Sequence, residues 1–175
     1  MLKMVSVAVL LLVGAVLVFA ATRPDTFRVK RATSIEAPPE KIFPLINDFK
    51  RWGAWSPYEK KDPDMKRSYD GPPAGQGAVY AWEGDGNVGQ GRMEIVEASP
   101  SSKVAIKLDF TRPFEAHNRV VFTMTPAGGA TEVTWDMQGP ANYLAKLMGI
   151  FIDMDRMVGK DFEAGLANLK TAVEN

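Results

Sequence analysis

Three consecutive segments in the second half of the chain alternate clearly between apolar and polar residues, and they restrict the fold more than any other feature. Lys103 to Phe110 places Val104, Ile106, Leu108 and Phe110 on one face, against Lys103, Lys107 and Asp109 on the other. Phe114 to Thr125 continues the pattern with Val120, Phe122 and Met124, and Thr131 to Gln138 with Val133, Trp135 and Met137. A period of two residues specifies strands, and strands that are apolar on one side need a second layer over that side. The C-terminus supplies a candidate cover. Leu147, Met148, Phe151, Met154, Val158, Phe162, Leu166, Leu169 and Val173 recur at steps of mostly three and four, a helical stripe long enough to cross a sheet. A break between Gly149 and Asp153 divides this helix, with Asp153 placed to cap its longer second part.

Shorter runs upstream extend the same meander. Phe27–Glu36, Arg67–Tyr69, Ala78–Glu83 and Gly89–Ala98 read as strands separated by turn-forming residues. Ala37-Pro38-Pro39 ends the first strand and opens a helix carrying Ile42, Phe43 and Ile46, which Pro44 shortens or kinks. Asn47 or Asp48 then caps a second short helix with Phe49 and Trp52. The order is one strand, two short helices, six strands and a long helix. This describes an α+β domain over residues 27–175, built on an antiparallel sheet of about seven strands.

The first 22 residues are of a different kind. Met4 to Ala21 is apolar apart from Ser6 and Gly14, and as a helix it would be about 27 Å long, close to the hydrocarbon thickness of a bilayer. This predicts a single-pass membrane anchor over 1–22 and a polar linker over 23–26. The small residues around Val18-Phe19-Ala20 keep cleaved export open as the alternative. Arg23, Arg28, Lys30 and Arg31 follow the segment and only Lys3 precedes it, which favours a cytoplasmic domain by the positive-inside count. Asp25 and the folding of Arg28–Arg31 into a strand weaken that count, so both orientations stay open.

Composition removes several function classes. The 21 basic and 21 acidic residues cancel, and the part beyond the anchor carries no basic run, which excludes the electrostatic footprint of a nucleic-acid-binding protein. The absence of cysteine excludes disulfides, thiolate chemistry and cysteine-based metal sites. The single histidine, His117, excludes histidine-rich metal sites. Asp153, Asp155 and Asp161 read as cap and surface charges, Asp109 and Arg112 as a solvated pair flanking a turn, and neither a metal nor a cofactor is expected. Gly84-Asp85-Gly86-Asn87-Val88-Gly89 matches the dinucleotide-binding glycine pattern, but an alternating segment follows where that motif requires a helix. Asp-Gly and Gly-Asn are also hairpin residues, so a β-turn is expected here.

Few side chains are left to carry chemistry. By strand parity His117 shares a face with Glu115 and Arg119 and points away from the apolar side, leaving it a weak candidate for general-base catalysis. Asn118 lies on the inward face, where a buried amide must find partners in the protein or in a ligand. Tyr80 and Trp82 share an inward face, and each joins a large apolar body to one polar tip. Met148, Met154 and Met157 lie where the terminal helix begins to cover the sheet, as adaptable lining for an opening that Trp52, Trp55 and Tyr58 would edge.

The strand with its Ala-Pro-Pro-Glu helix start, the segment Phe43 to Pro57 with Trp52 and Trp55-Ser56-Pro57, Gly77 to Gly84, Phe114 to Asn118, and Met154 to Lys170 together resemble the helix-grip superfamily. That group includes START lipid-transfer domains, the birch-pollen-allergen type and the bacterial polyketide cyclase/dehydrase (SRPBCC) proteins, and the resemblance covers Phe27 to Asn175. It implies a sheet gripping the long helix around a hydrophobic cavity, in a family whose members bind lipids, sterols, polyketides and quinones. The expectation is therefore a binding protein for a small hydrophobic molecule, anchored in the bacterial inner membrane. Its ligand contacts would be Tyr80, Trp82, Asn118, Phe122, Trp135, Met154 and Met157. A cyclase/dehydratase-like enzyme using the same cavity, and a protein-interaction module with a filled core, are the alternatives.

Overall fold

The computed structural model describes residues 2–175. Helix α1 (Leu2–Thr22) precedes β1 (Thr26–Ile35), α2 (Pro39–Asn47), a 3-10 helix (Phe49–Ala54) and α3 (Tyr58–Lys61). The meander β2 (Lys66–Asp70), β3 (Val79–Glu83), β4 (Gln90–Ser99), β5 (Lys103–Arg112), β6 (Ala116–Ala127) and β7 (Ala130–Pro140) follows, then α4 (Tyr143–Phe151) and α5 (Met154–Glu174). One seven-stranded antiparallel sheet runs in the order β1-β7-β6-β5-β4-β3-β2. Five hairpin steps bring β7 back beside β1, paired from Thr26↔Pro140 to Ile35↔Thr131.

Local chemistry accounts for the junctions. Pro39 occupies the first turn of α2, where its missing N–H is not needed. Pro44 lies inside α2, which ends three residues later. The last carbonyls of such a helix have no partner within it. Two indoles provide them: Trp52 Nε1 donates to Ile46 O at 3.0 Å and Trp55 Nε1 to Leu45 O at 2.9 Å. Asp48 caps the 3-10 helix by accepting from Lys50 N, and Asp153 caps α5 by accepting from Arg156 N.

The core lies between the concave face of the sheet and α2, the 3-10 helix and α5, and its centre is aromatic. Trp135 stacks on Phe162 of α5 with centroids 4.0 Å apart, and Phe122, Trp55 and Trp52 continue the cluster. Trp52 and Trp55 are thus buried at the centre of the grip instead of edging an opening, because their donors are drawn to the end of α2. Glycine decides where α5 comes close. A Cβ on Gly159 would fall 1.9 Å from Arg31 Nη2, and one on Gly165 would meet the Trp135 ring at 2.7 Å. Arg31 rises from β1 to bond Asp155 and Glu163 of α5, clamping strand and helix together.

Candidate functional site

The two ends of the grip differ. At one end are the start of β1, the end of β7, the β3–β4 turn and the β5–β6 turn, as the pairings Thr26↔Pro140, Glu83↔Gln90 and Gln90↔Arg112 require. This is also the end at which α1 enters. Across its concave face runs one row of facing residues, Met93↔Leu108↔Asn118, with Gly139 and Phe27 next in line. Trp82 lies beside this row, over Gly91.

Glycines create the space in this row. A Cβ on Gly91 would meet the Trp82 ring at 2.6 Å, and one on Gly139 would lie 2.1 Å from Asn118 Oδ1 and 3.0 Å from the Phe27 ring. Trp82 and Asn118 therefore fold over positions that have no side chain. Asn118 is 8% exposed, and among the described residues its Oδ1 has no hydrogen-bond partner. Trp135 Nε1, on the same face, is likewise buried without a partner. The surrounding Leu108, Met93 and Met137 are apolar and nearly buried. This end can thus offer a buried amide among apolar side chains, while the Trp135 indole lies deeper, in the central aromatic cluster.

The other polar tips on this face are already engaged. Trp82 Nε1 donates to Val88 O at 3.0 Å. Tyr80 Oη donates to Glu59 Oε1 at 2.6 Å, and Arg67 holds the other Glu59 oxygen at 2.7 Å. Burial and then the Glu59 hydrogen bond push the Tyr80 hydroxyl well above its usual range, so it stays protonated. Tyr80 and Trp82 are therefore structural through their tips and apolar through their bodies.

The remaining candidates lie elsewhere. Phe122 is fully buried in the central aromatic cluster. Met154 and Met157 are exposed on the first turn of α5, as is Met148 on α4. His117 stands 60% exposed on the convex face, with Nδ1 2.7 Å from Asp109 and Nε2 3.2 Å from Glu115. The Asp109 hydrogen bond is the main cause raising the His117 pKa above its ordinary value. Asp109 pairs with His117 on the neighbouring strand and with Lys107 on its own, so the expected pairing with Arg112 is replaced by neighbours on its own face. Burial pushes the Asp109 carboxyl up, but hydrogen bonds from His117 and Lys107 outweigh this and hold it below its usual range. The 84–89 glycine segment is a hairpin turn: Gly84 N and Gly89 O bond at 2.9 Å, and β4 follows. At the far end of the sheet a cleft of about 160 Å³ lies between Phe49, Tyr69, Pro72 and Val79, smaller than a typical small-molecule site.

Parity alone placed Asn118, Tyr80 and Trp82 on the concave face. It gave no reason to single out Met93, Leu108 or Met137, which read as ordinary strand core, or Gly139, which read only as the end of the sheet. The signal was the pair of glycines at inward positions, whose meaning depends on which side chain crosses them.

Comparison with known structures agrees with this architecture. The chain is similar to protein CV1439 from Chromobacterium violaceum, with 15% identity, a TM-score of 0.59, and 87% of this chain and 99% of that one covered. It is also similar to DynU16 of the dynemicin biosynthetic locus, at 18% identity and TM-score 0.59, covering 87% of this chain and 48% of DynU16. Ara h 8.0201 matches at 10% identity and TM-score 0.56, covering 85% and 97% of the two chains. Likenesses at this level of identity establish the helix-grip fold. No curated protein matches the sequence significantly. A family model described as "Polyketide cyclase / dehydrase and lipid transport" matches residues 26–174, nearly the whole chain beyond α1, and the protein therefore belongs to that SRPBCC-type family.

Proposed function

We propose that the protein is a membrane-anchored carrier that binds a small hydrophobic molecule at the α1-proximal end of the concave sheet. The observation that carries this reading is Asn118, a buried amide whose Oδ1 has no hydrogen-bond partner among the described residues, in an otherwise apolar row. Leaving such a group unmatched costs about 1–3 kcal/mol. A ligand polar group placed against it would recover that cost, while the ligand's apolar body gains about 25 cal/mol per Å² buried. Trp82, Met93, Leu108 and Met137 would contact that body. Membership of a cyclase/dehydrase and lipid-transport family is consistent with this chemistry. So is α1, whose 19-residue stretch Met4–Thr22 is long and apolar enough to cross a bilayer where lipophilic molecules concentrate.

The cyclase-like reading finds less support in the side chains. The Tyr80 hydroxyl is held by Glu59, and His117 faces away from the concave side. The test is native mass spectrometry of the chain from Arg23 onward, purified from its own host without detergent. A stoichiometric added mass, soluble in organic solvent and lost in Asn118→Leu but kept in His117→Ala, is expected. A clean apo mass, or equal retention by both variants, would count against the assigned site.

A further inference from the structure

The surface around α4 has no counterpart on the rest of the domain. Beyond α1, the described residues include ten exposed large hydrophobic side chains, and eight of them belong to α4, the α4–α5 junction, the first turn of α5 or the β5–β6 turn. Leu144, Met148 and Phe151 recur at steps of four and three, so they form one stripe along α4. All three are exposed, Phe151 to 73%. The single charge in α4, Lys146, is turned away from that stripe and pairs with Asp25. Phe114, 69% exposed, tips the β5–β6 turn at the same end of the sheet. A helix face this apolar and free of charge is not a normal solvated surface.

Its position identifies what covers it. Tyr143 Oη donates to Leu17 O at 3.0 Å, and Ala141 N donates to Asp25 O at 2.7 Å. The first of these contacts reaches into the C-terminal part of the apolar stretch of α1. Leu17 lies five residues before Thr22, or about 7.5 Å along the helix, which is the depth at which interfacial helices sit in the headgroup and acyl boundary. A bilayer crossed by α1 would therefore bring lipid to the level of α4.

We propose that α4, with Phe114 and the first turn of α5, is a second membrane contact that lies on the bilayer surface and holds the Asn118 end of the grip against it. This rests on the reading of α1 as an anchor. The occupant is lipid because α4 is joined to the apolar stretch of α1 through Tyr143 and Leu17, and Leu144, Met148 and Phe151 match the apolar face of an interfacial helix. The consequence is a short path: a hydrophobic molecule leaving the bilayer meets the Asn118 end of the grip first.

The chain has no cysteine, so one introduced cysteine takes an environment-sensitive fluorophore uniquely. The full chain would be reconstituted in phosphatidylcholine–phosphatidylglycerol vesicles containing nitroxide-labelled lipid, with the fluorophore at Leu11→Cys, Met148→Cys, Phe151→Cys or Glu132→Cys. Glu132, at the far end of the sheet, reports water. The expected result is several-fold stronger lipid quenching at 148 and 151 than at 132, with position 11 quenched as well. If 148 and 151 behave like 132 while 11 is quenched, the anchor stands and the second contact is overturned. If 11 also behaves like 132, the anchor reading falls and the proposal with it. Labels at 148 and 151 shielded from aqueous iodide yet unquenched by lipid would show that protein, such as a second copy of this chain, covers the surface instead, which also overturns the proposal.

Discussion

Asn118 and His117 are neighbours in sequence with opposite environments, and their substitutions should separate accordingly. Asn118 loses water on burial and gains no partner at Oδ1 among the described residues. Asn118→Leu, of similar size, should therefore raise stability by about 1–3 kcal/mol in denaturant unfolding while weakening ligand retention. A variant that loses stability would show that the amide is satisfied internally. His117 instead stands in water beside two carboxylates, and its pKa is raised. Its contribution is fully present below the ordinary histidine value of about 6.5 and is lost as pH rises through the higher folded value. Asp109 has a lowered pKa, so its share is present above its unfolded value of 3.8 and is lost as pH falls through the folded one. The stability difference between wild type and His117→Ala should thus be small, greatest between about pH 4 and 6.5, and absent at alkaline pH. Thermal midpoints measured across pH would show this, and a difference that grows as pH rises above about 6.5 would refute the pairing.

At the level of elements, α5 is held to the sheet by a ring stack, an arginine clamp, the Lys170 bond to Ser34 O, buried Leu166 and Leu169, and the close approach that two glycines allow. Phe162 is 2% exposed and stacks directly on Trp135. Phe162→Ala should cost about 3–5 kcal/mol, read as a shift in the denaturant midpoint. A loss below about 1 kcal/mol would mean that α5 is only loosely seated. The helix pattern was readable from the spacing of Val158, Phe162, Leu166 and Leu169, and so was its start at Asp153. The strands of the meander followed equally well from alternation and turn residues. What alternation could not give was the role of Trp52 and Trp55. Their indoles cap α2 because Pro44 shortens that helix and leaves carbonyls pointing towards them, a relation between segments separated by a turn.

For the molecule as a whole, the buried core cluster draws no residue from α1 among the described residues. Deleting residues 1–22 should therefore leave the thermal midpoint of the domain nearly unchanged while moving the protein out of the membrane fraction on sedimentation. A large drop in the midpoint would show that α1 is an integral part of the fold. The same deletion uncovers the α4 surface further, so a tendency to self-associate at high concentration is the expected accompaniment.

Periodicity, turn chemistry and composition were enough to specify an antiparallel sheet covered by a C-terminal helix, an apolar N-terminal helix, and a chain without thiols or histidine clusters. These are local properties: each depends on residues close in sequence and on the period of the backbone they occupy. The opposite environments of the two ends of the grip were not accessible in that way. That Gly139 makes room for Asn118, that Glu59 takes the Tyr80 hydroxyl, and that the apolar side of α4 lies level with the end of α1 all depend on residues brought together from distant parts of the chain. Burial and pairing are set by those neighbours, so the tertiary arrangement separates an inward asparagine with an unmatched oxygen from an inward tyrosine that is already satisfied.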